Sequence, residues 1–289
     1  MRFLILGAGG MAGHTISIYL KEKGHDVTGF ARRKLGFVST IVGDVTDTDR
    51  LKNIVISGGY DAVINCIGIL NQKAETNKAE AILLNGYLPH YLADITADIE
   101  TQIIQMSTDC VFSGMAGGYT EKSFMDGETF YDRSKAIGEL EDNKNLTLRN
   151  SIIGPDINEN GIGLLNWFMK QKDEVNGYTH AMWTGLTTLQ LAKTMEAAVA
   201  VKAHGLINMV NKENISKYEL LKLFNHYLKN DEITIIPYEE FVIDKTLVRT
   251  NFEFDYIIPD YKTMVEEMSD WMKKHSELYP HYKLGNKSD

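Results

Sequence analysis

Short apolar runs alternating with helix-length amphipathic stretches, and a glycine-rich turn joining the first run to the first helix, predict an α/β fold. The specific expectation is a Rossmann-type doubly wound parallel sheet with a smaller C-terminal α/β lobe. The strand candidates are residues 3–6, 26–30, 40–42, 62–66, 102–106, 146–149 and 206–209. Several are apolar throughout, as a strand covered on both faces should be. Helical patterns fill the intervals, for example 12–23, 79–94 and 189–201. Beyond Gly154-Pro155 the alternation becomes less regular. This divides the chain into a cofactor-binding domain, 1–155, and a substrate-binding lobe, 156–289, with part of 187–211 returning to the sheet. In the second half, Ser216-Lys217-Tyr218-Glu219 has the form of a capping box ahead of Leu220, Leu221, Phe224 and Leu228. A last helix starts near Asp260 and buries Met264, Met268, Trp271 and Met272, and the polar tail from Lys283 is expected to fray.

Composition narrows the function classes. The 289 residues carry 30 basic and 39 acidic side chains, a formal charge of −9, so the net field opposes binding to nucleic acid or to an anionic membrane. Two cysteines, Cys66 and Cys110, are too few for a disulfide framework and suit a reducing compartment. The N-terminus lacks a signal-peptide pattern and no apolar run is long enough to span a bilayer, which together predict a cytoplasmic protein. The eight histidines form no ligand-spaced pair, so no metal site is expected.

Gly7-Ala8-Gly9-Gly10-Met11-Ala12-Gly13 directly follows the first strand and opens the first helix. Glycines here let the backbone approach a pyrophosphate, whose charge then rests on the helix N-terminus. Gly7, Gly10, Met11 and Gly13 are therefore cofactor candidates. A tight strand–helix turn collects glycine too, but the position between strand and helix favours a dinucleotide. An acidic residue ending the second strand would bond the adenosine ribose and select NAD(H); this strand instead ends in Arg32-Arg33. A guanidinium there pairs with a 2′-phosphate, so NADP(H) is preferred and NAD(H) remains admissible, with Arg32 the better-placed residue and a pair of solvated arginines the plain alternative. Asp44 closes the third strand and is placed to face the adenine.

Tyr131 and Lys135 stand four apart on a candidate helix, so phenol and ammonium can share one cleft. A phenol with pKa near 10 is a poor acid–base catalyst at neutral pH, and a nearby cation brings it into range. The pairing is common by chance, and context gives it weight. Ser107-Thr108-Asp109-Cys110-Val111 begins where a parallel strand ends, which is where such sheets bind ligands, although Ser-Thr-Asp can also simply cap a turn. Ser107, Asp109, Cys110 and Val111 are substrate-side candidates, as are Trp167 and Trp183, whose rings could stack on a nucleobase or pack in the core.

In their order, GAGGMAG, STDCVFSG, YDRSKAIGE and LRNSIIGP resemble the extended short-chain dehydrogenase/reductases, and within them the dTDP-4-dehydrorhamnose reductase branch of nucleotide-sugar reductases. The resemblance covers nearly the whole chain. It implies Thr108, Tyr131 and Lys135 as the catalytic trio: Tyr131 donates a proton as hydride reaches the sugar C4 carbonyl, Lys135 holds the nicotinamide ribose and tunes Tyr131, and Thr108 orients the carbonyl oxygen. It also implies Asn65 and Cys66 in the loop packed against the cofactor, and Asn85 as a structural asparagine. Cys110 stands where the family usually has tyrosine, and 66–70 where it has an alanine-rich run, so the accepted sugar can differ.

The expected activity is NADPH-dependent reduction of the C4 keto group of a dTDP- or UDP-linked 4-keto-6-deoxy sugar, with or without a 2-acetamido group. The alternatives are an epimerase or dehydratase on the same fold and a non-catalytic NADP-binding subunit, which intact Thr108, Tyr131 and Lys135 disfavour. The expected partner is the nucleotide sugar, with no nucleic acid or membrane, and a homodimer is compatible with the sequence.

Overall fold

The computed structural model describes residues 1–284; of the tail expected to fray, 285–289 lie outside these, and Leu284 packs against the main core. The chain begins β1 (Arg2–Leu6), α1 (Met11–Glu22), β2 (Asp26–Ala31), β3 (Ser39–Val42), α2 (Thr48–Ser57) and β4 (Ala62–Asn65). A helical region follows: α3 (Asn71–Thr76), α4 (Lys78–Ala81), a π-helical turn over Ile82–Tyr87, and α5 (Leu88–Ile95). Then come β5 (Gln102–Met106), α6 (Phe130–Ile137), β6 (Leu146–Arg149), β7 (Ser151–Ile153), α7 (Leu164–Met169), β8 (Glu174–Trp183), β9 (Gly185–Thr187) and α8 (Thr188–Ala200). The described chain closes with β10 (Gly205–Asn208), β11 (Ile215–Ser216), α9 (Lys217–Lys229), β12 (Thr234–Asp244) and α10 (Tyr261–Lys274).

Seven parallel strands form the central sheet in the order β10-β6-β5-β4-β1-β2-β3. The order reverses at β1 and β4, and this switch point sets a crevice at the carboxyl ends of both strands. Both faces are covered, which explains the continuous apolar runs. Along β1, Phe3 and Ile5 enter one cluster with residues of α1, α8, α9 and α10, while Leu4 and Leu6 enter another with residues of α2 and α5. Burying each such side chain contributes about 1.5–3 kcal/mol.

The second half is not a separate block. Strand β10 pairs with β6, and α8 packs on α1, so residues beyond 155 complete the central layers. The remainder builds a three-stranded sheet, β11-β8-β12, and the short pair β7-β9. The Ser216 hydroxyl caps α9 by accepting from Glu219 N–H at 3.1 Å, but the Glu219 carboxylate turns to Lys222, so the capping box is half made. Asp260 caps α10, and Met264, Met268, Trp271 and Met272 are buried there as their spacing predicts.

The helix predicted over 79–94 is interrupted by the π-helical turn. The wider turn carries Asn85 into the protein, where its amide accepts from Ile69 N–H at 2.8 Å and donates to the Ile69 carbonyl and the Ser134 hydroxyl at 2.9 Å each. One side chain thus ties the loop after β4 to α6.

The C-terminal segment supports the glycine turn. His14 of α1 is fully buried and bonds the Gly10 carbonyl through Nδ1 at 3.0 Å and the Tyr279 hydroxyl through Nε2 at 2.7 Å. A carbonyl only accepts, so Nδ1 carries the proton and Nε2 accepts from Tyr279, which in turn accepts from Trp271 Nε1. Burial holds His14 down at about 4, so between about pH 4 and 6.5 the unfolded chain binds a proton that the folded one refuses. Stability from this site is complete above pH 6.5 and falls as pH drops towards 4, by up to about 3 kcal/mol. Urea unfolding at pH 7 and 4.5 should show this loss in the parent and a smaller one in His14→Gln; equal acid losses would contradict the assignment.

Candidate active site

The first wall of the crevice is the glycine turn. Gly7 has φ +76°, a conformation that favours glycine, and its carbonyl accepts from Gly10 N–H at 3.0 Å. A Cβ at Gly13 would lie 2.2 Å from that carbonyl oxygen, so only glycine lets α1 approach the turn this closely. Gly10 occupies the N-cap without a side-chain cap, and the first turn of α1 holds no acidic residue. The uncapped N–H groups and the partial positive charge at this end fit an anionic pyrophosphate. Met11 faces the loop before α7, since a Cβ at Gly163 would meet its sulfur at 3.1 Å.

Arg32 and Asp44 sit exposed beyond the ends of β2 and β3. Hydrogen bonds from the Thr46 N–H and hydroxyl hold the Asp44 carboxyl below its ordinary value, with the Arg32 charge adding to them. Arg32 is therefore beside Asp44, past the ends of the neighbouring strands β2 and β3. Asn65 is buried and its amide is engaged: it donates to Gln105 at 2.8 Å and accepts from Ile67 N–H at 3.2 Å. It shapes the loop after β4, which packs on Gly7 through Cys66 and Ile67. Burial pushes the Cys66 and Cys110 thiols up to about 12, so neither is a thiolate at neutral pH.

The second wall is built by α6 and the segment after β5. Thr129 and Asp132 form a reciprocal capping box, which starts α6 one residue before Tyr131. Tyr131 packs with Ala74, Ala81 and Cys110, and its phenol lies close enough to Thr108 and Asp109 to be influenced by both. Thr108 Oγ1 accepts from Cys110 N–H at 3.1 Å and donates to Asp109 at 3.1 Å. Asp109 is buried, which raises its carboxyl, with the Lys245 charge opposing. Val111 is buried against Phe112 and Tyr119, in the core rather than in the crevice.

Lys135 is 6 % exposed and donates to the Met106 carbonyl at 2.6 Å. Burial lowers it to about 8, with the Glu139 carboxylate opposing. In the sequence, Lys135 stood as the cation that depresses the Tyr131 phenol. Burial raises the Tyr131 phenol, and Lys135 is engaged at the end of β5.

Ser107 donates to Glu139 at 2.5 Å, and Glu139 pairs with Arg149. Sequence reasoning missed both charged residues, although Glu139 follows Lys135 by four, the spacing at which Tyr131 precedes it. Trp183 takes the second of the two roles left open by the sequence. It is 5 % exposed at the end of β8, its ring 5.7 Å from Tyr261, and it fills core space instead of offering a stacking face. Trp167 on α7 is 43 % exposed and keeps a free face. Among the described residues no group of histidine, cysteine and carboxylate side chains is arranged to hold a metal, and no helix is long and apolar enough to cross a membrane.

Comparison with known proteins places this geometry. The probable low-salt glycan biosynthesis reductase Agl14 of Haloferax volcanii is 33% identical over 143 residues, 48% of each chain. The chain spans about half the length, or slightly less, of the first curated relatives it matches. A dTDP-4-dehydrorhamnose reductase of Aggregatibacter actinomycetemcomitans is 24% identical over 251 residues, 82% of each chain. The crystal structure of a dTDP-4-dehydrorhamnose reductase from Bacillus anthracis in complex with NADP superposes with a TM-score of 0.76 at 20% identity, covering 92% of this chain and 98% of that one, and shows the shared fold. Residues 1–246 match the family model for the RmlD substrate binding domain, and the chain belongs to that family.

Proposed function

We propose that this protein reduces the C4 keto group of a nucleotide-linked 4-keto-6-deoxy sugar, on dTDP or UDP, with NADPH. The observation that carries the reading is Tyr131 close to Thr108 at the carboxyl end of β5, one helical turn from buried Lys135, in a sheet whose first strand leads into an uncapped helix N-terminus. The relatives named as dTDP-4-dehydrorhamnose reductases support it.

The glycine turn and the start of α1 would hold the cofactor pyrophosphate, Arg32 the 2′-phosphate, and Lys135 the nicotinamide ribose. The bound cofactor supplies a hydride to the sugar C4. Tyr131 then gives its hydroxyl proton to the oxygen that becomes the C4 hydroxyl, and Thr108 orients that oxygen. Net consumption of NADPH separates reduction from epimerisation or dehydration, which return the cofactor to its starting state. Two unpaired cysteines agree with work in the reducing cytoplasm.

The test is loss of reduced nicotinamide absorbance with a panel of dTDP- and UDP-4-keto-6-deoxy sugars. One sugar should consume NADPH in equal amount to product. NADPH binding without turnover of any of them would overturn the reading.

A further inference from the structure

We propose that Glu139, locked by Arg149, is a positioning residue of the reaction, holding Ser107 in place at the end of β5 beside Lys135. The inference rests on the reductase reading for its kinetic arm only. Arg149 Nε and Nη2 meet the two Glu139 oxygens at 2.8 and 2.5 Å, and the side chains are 1 % and 5 % exposed. The same carboxylate accepts the Ser107 hydroxyl at 2.5 Å, and Ser107 N–H bonds the Leu148 carbonyl of β6 at 2.9 Å. The catalytic segment is thus fixed to β6 by both backbone and side chain.

Arg149 is held from the far side as well. Its guanidinium stacks 5.1 Å over Phe112 and donates to Asn208 of β10 at 3.3 Å. Asn208 in turn donates to the Tyr119 and Val248 carbonyls at 3.0 Å each, and its N–H reaches Glu121, which also binds Thr250. A polar chain therefore runs from Ser107 to the 246–251 segment of the C-terminal half.

A buried ion pair is a costly way to fill space, because desolvating each ion costs several kcal/mol and apolar side chains of similar volume often stabilise as well or better. What apolar side chains cannot supply is an acceptor for Ser107 and a negative charge just past the end of α6, four residues on from Lys135. The charged and titratable groups facing this cluster are Arg149 from β6, Lys135 and Glu139 at α6, and Cys66 from the loop after β4. The Glu139 carboxylate opposes the burial that lowers Lys135.

The test compares the parent with the double variant Glu139→Gln/Arg149→Met, which removes the pair without stranding a charge, and with Glu139→Asp, which keeps the charge. NADPH affinity is measured from pH 6 to 10 by nicotinamide fluorescence, alongside kcat and KM. The double variant should melt within a few degrees of the parent, lose NADPH affinity at lower pH, and drop about ten- to hundredfold in kcat with KM for the sugar little changed. Glu139→Asp should restore the pH profile. A folded double variant with the parent's kcat and pH profile overturns the proposal. If the double variant does not fold, Glu139→Asp decides by its kcat: a loss of about tenfold supports positioning, and the parent rate refutes it. If the parent turns over no sugar, the reductase reading fails, and the pH dependence of NADPH binding still decides the role of Glu139.

Discussion

Tyr131→Phe should bind NADPH as the parent does while its reduction rate falls about 10²–10⁴-fold. The substitution removes one oxygen and keeps the ring that packs near Ala74 and Ala81. Stability should change by less than about 1 kcal/mol, the net worth of at most one hydrogen bond. The oxygen at C4 then loses its proposed proton donor. Single-turnover absorbance with saturating sugar isolates the chemical step, and fluorescence gives cofactor affinity separately. A rate within fivefold of the parent would remove Tyr131 from the mechanism.

Gly13→Val should abolish measurable NADPH binding and lower stability by about 1–3 kcal/mol or more. Two effects oppose each other at this position. Replacing a helical glycine gains up to about 1 kcal/mol in propensity, less for a β-branched residue. Against it stands a Cβ only 2.2 Å from the Gly7 carbonyl oxygen and 2.9 Å from the Ala8 Cα. Both are backbone atoms of the turn, so α1 or the turn must move. Gly10→Ala is the control, because its Cβ would sit 3.4 Å from the same oxygen, an ordinary contact. Thermal melts and NADPH titration of both variants check the contrast. Equal behaviour of the two would mean that close approach at Gly13 is not what shapes the crevice.

The parts legible in the sequence are those whose signal is local. Strand β1 carries a short apolar run, Phe3 to Leu6, before the glycine turn, and its covering on both faces is what makes that run apolar throughout. The glycine turn is legible because its spacing answers a backbone constraint within seven residues. Tyr131 and Lys135 are legible as a pair because one helix turn separates them.

The parts that escaped depend on partners far along the chain. His14 looks like an ordinary helix residue until Tyr279, 265 positions on, supplies its hydrogen bond. Arg149 sits in a four-residue strand, where an arginine reads as solvent-facing, and only Glu139, Phe112 and Asn208 together let it be buried. Trp183 carries no local mark to distinguish a stacking platform from core filling; the ring of Tyr261 decides it. The π-helical turn at Ile82–Tyr87 escaped because its reason is tertiary, the reach of Asn85 to Ile69 and Ser134.

The central claim is direct hydride delivery to a sugar C4 with Tyr131 supplying the proton. Its most direct test uses NADPH carrying deuterium on the transferable nicotinamide position, with the sugar that the panel selects. Magnetic resonance of the product should show one deuterium at C4 for each cofactor oxidised, and the Tyr131→Phe protein should give almost none in the same time. Product with protium at C4, or a changed sugar with the cofactor left reduced and its label intact, would contradict the account.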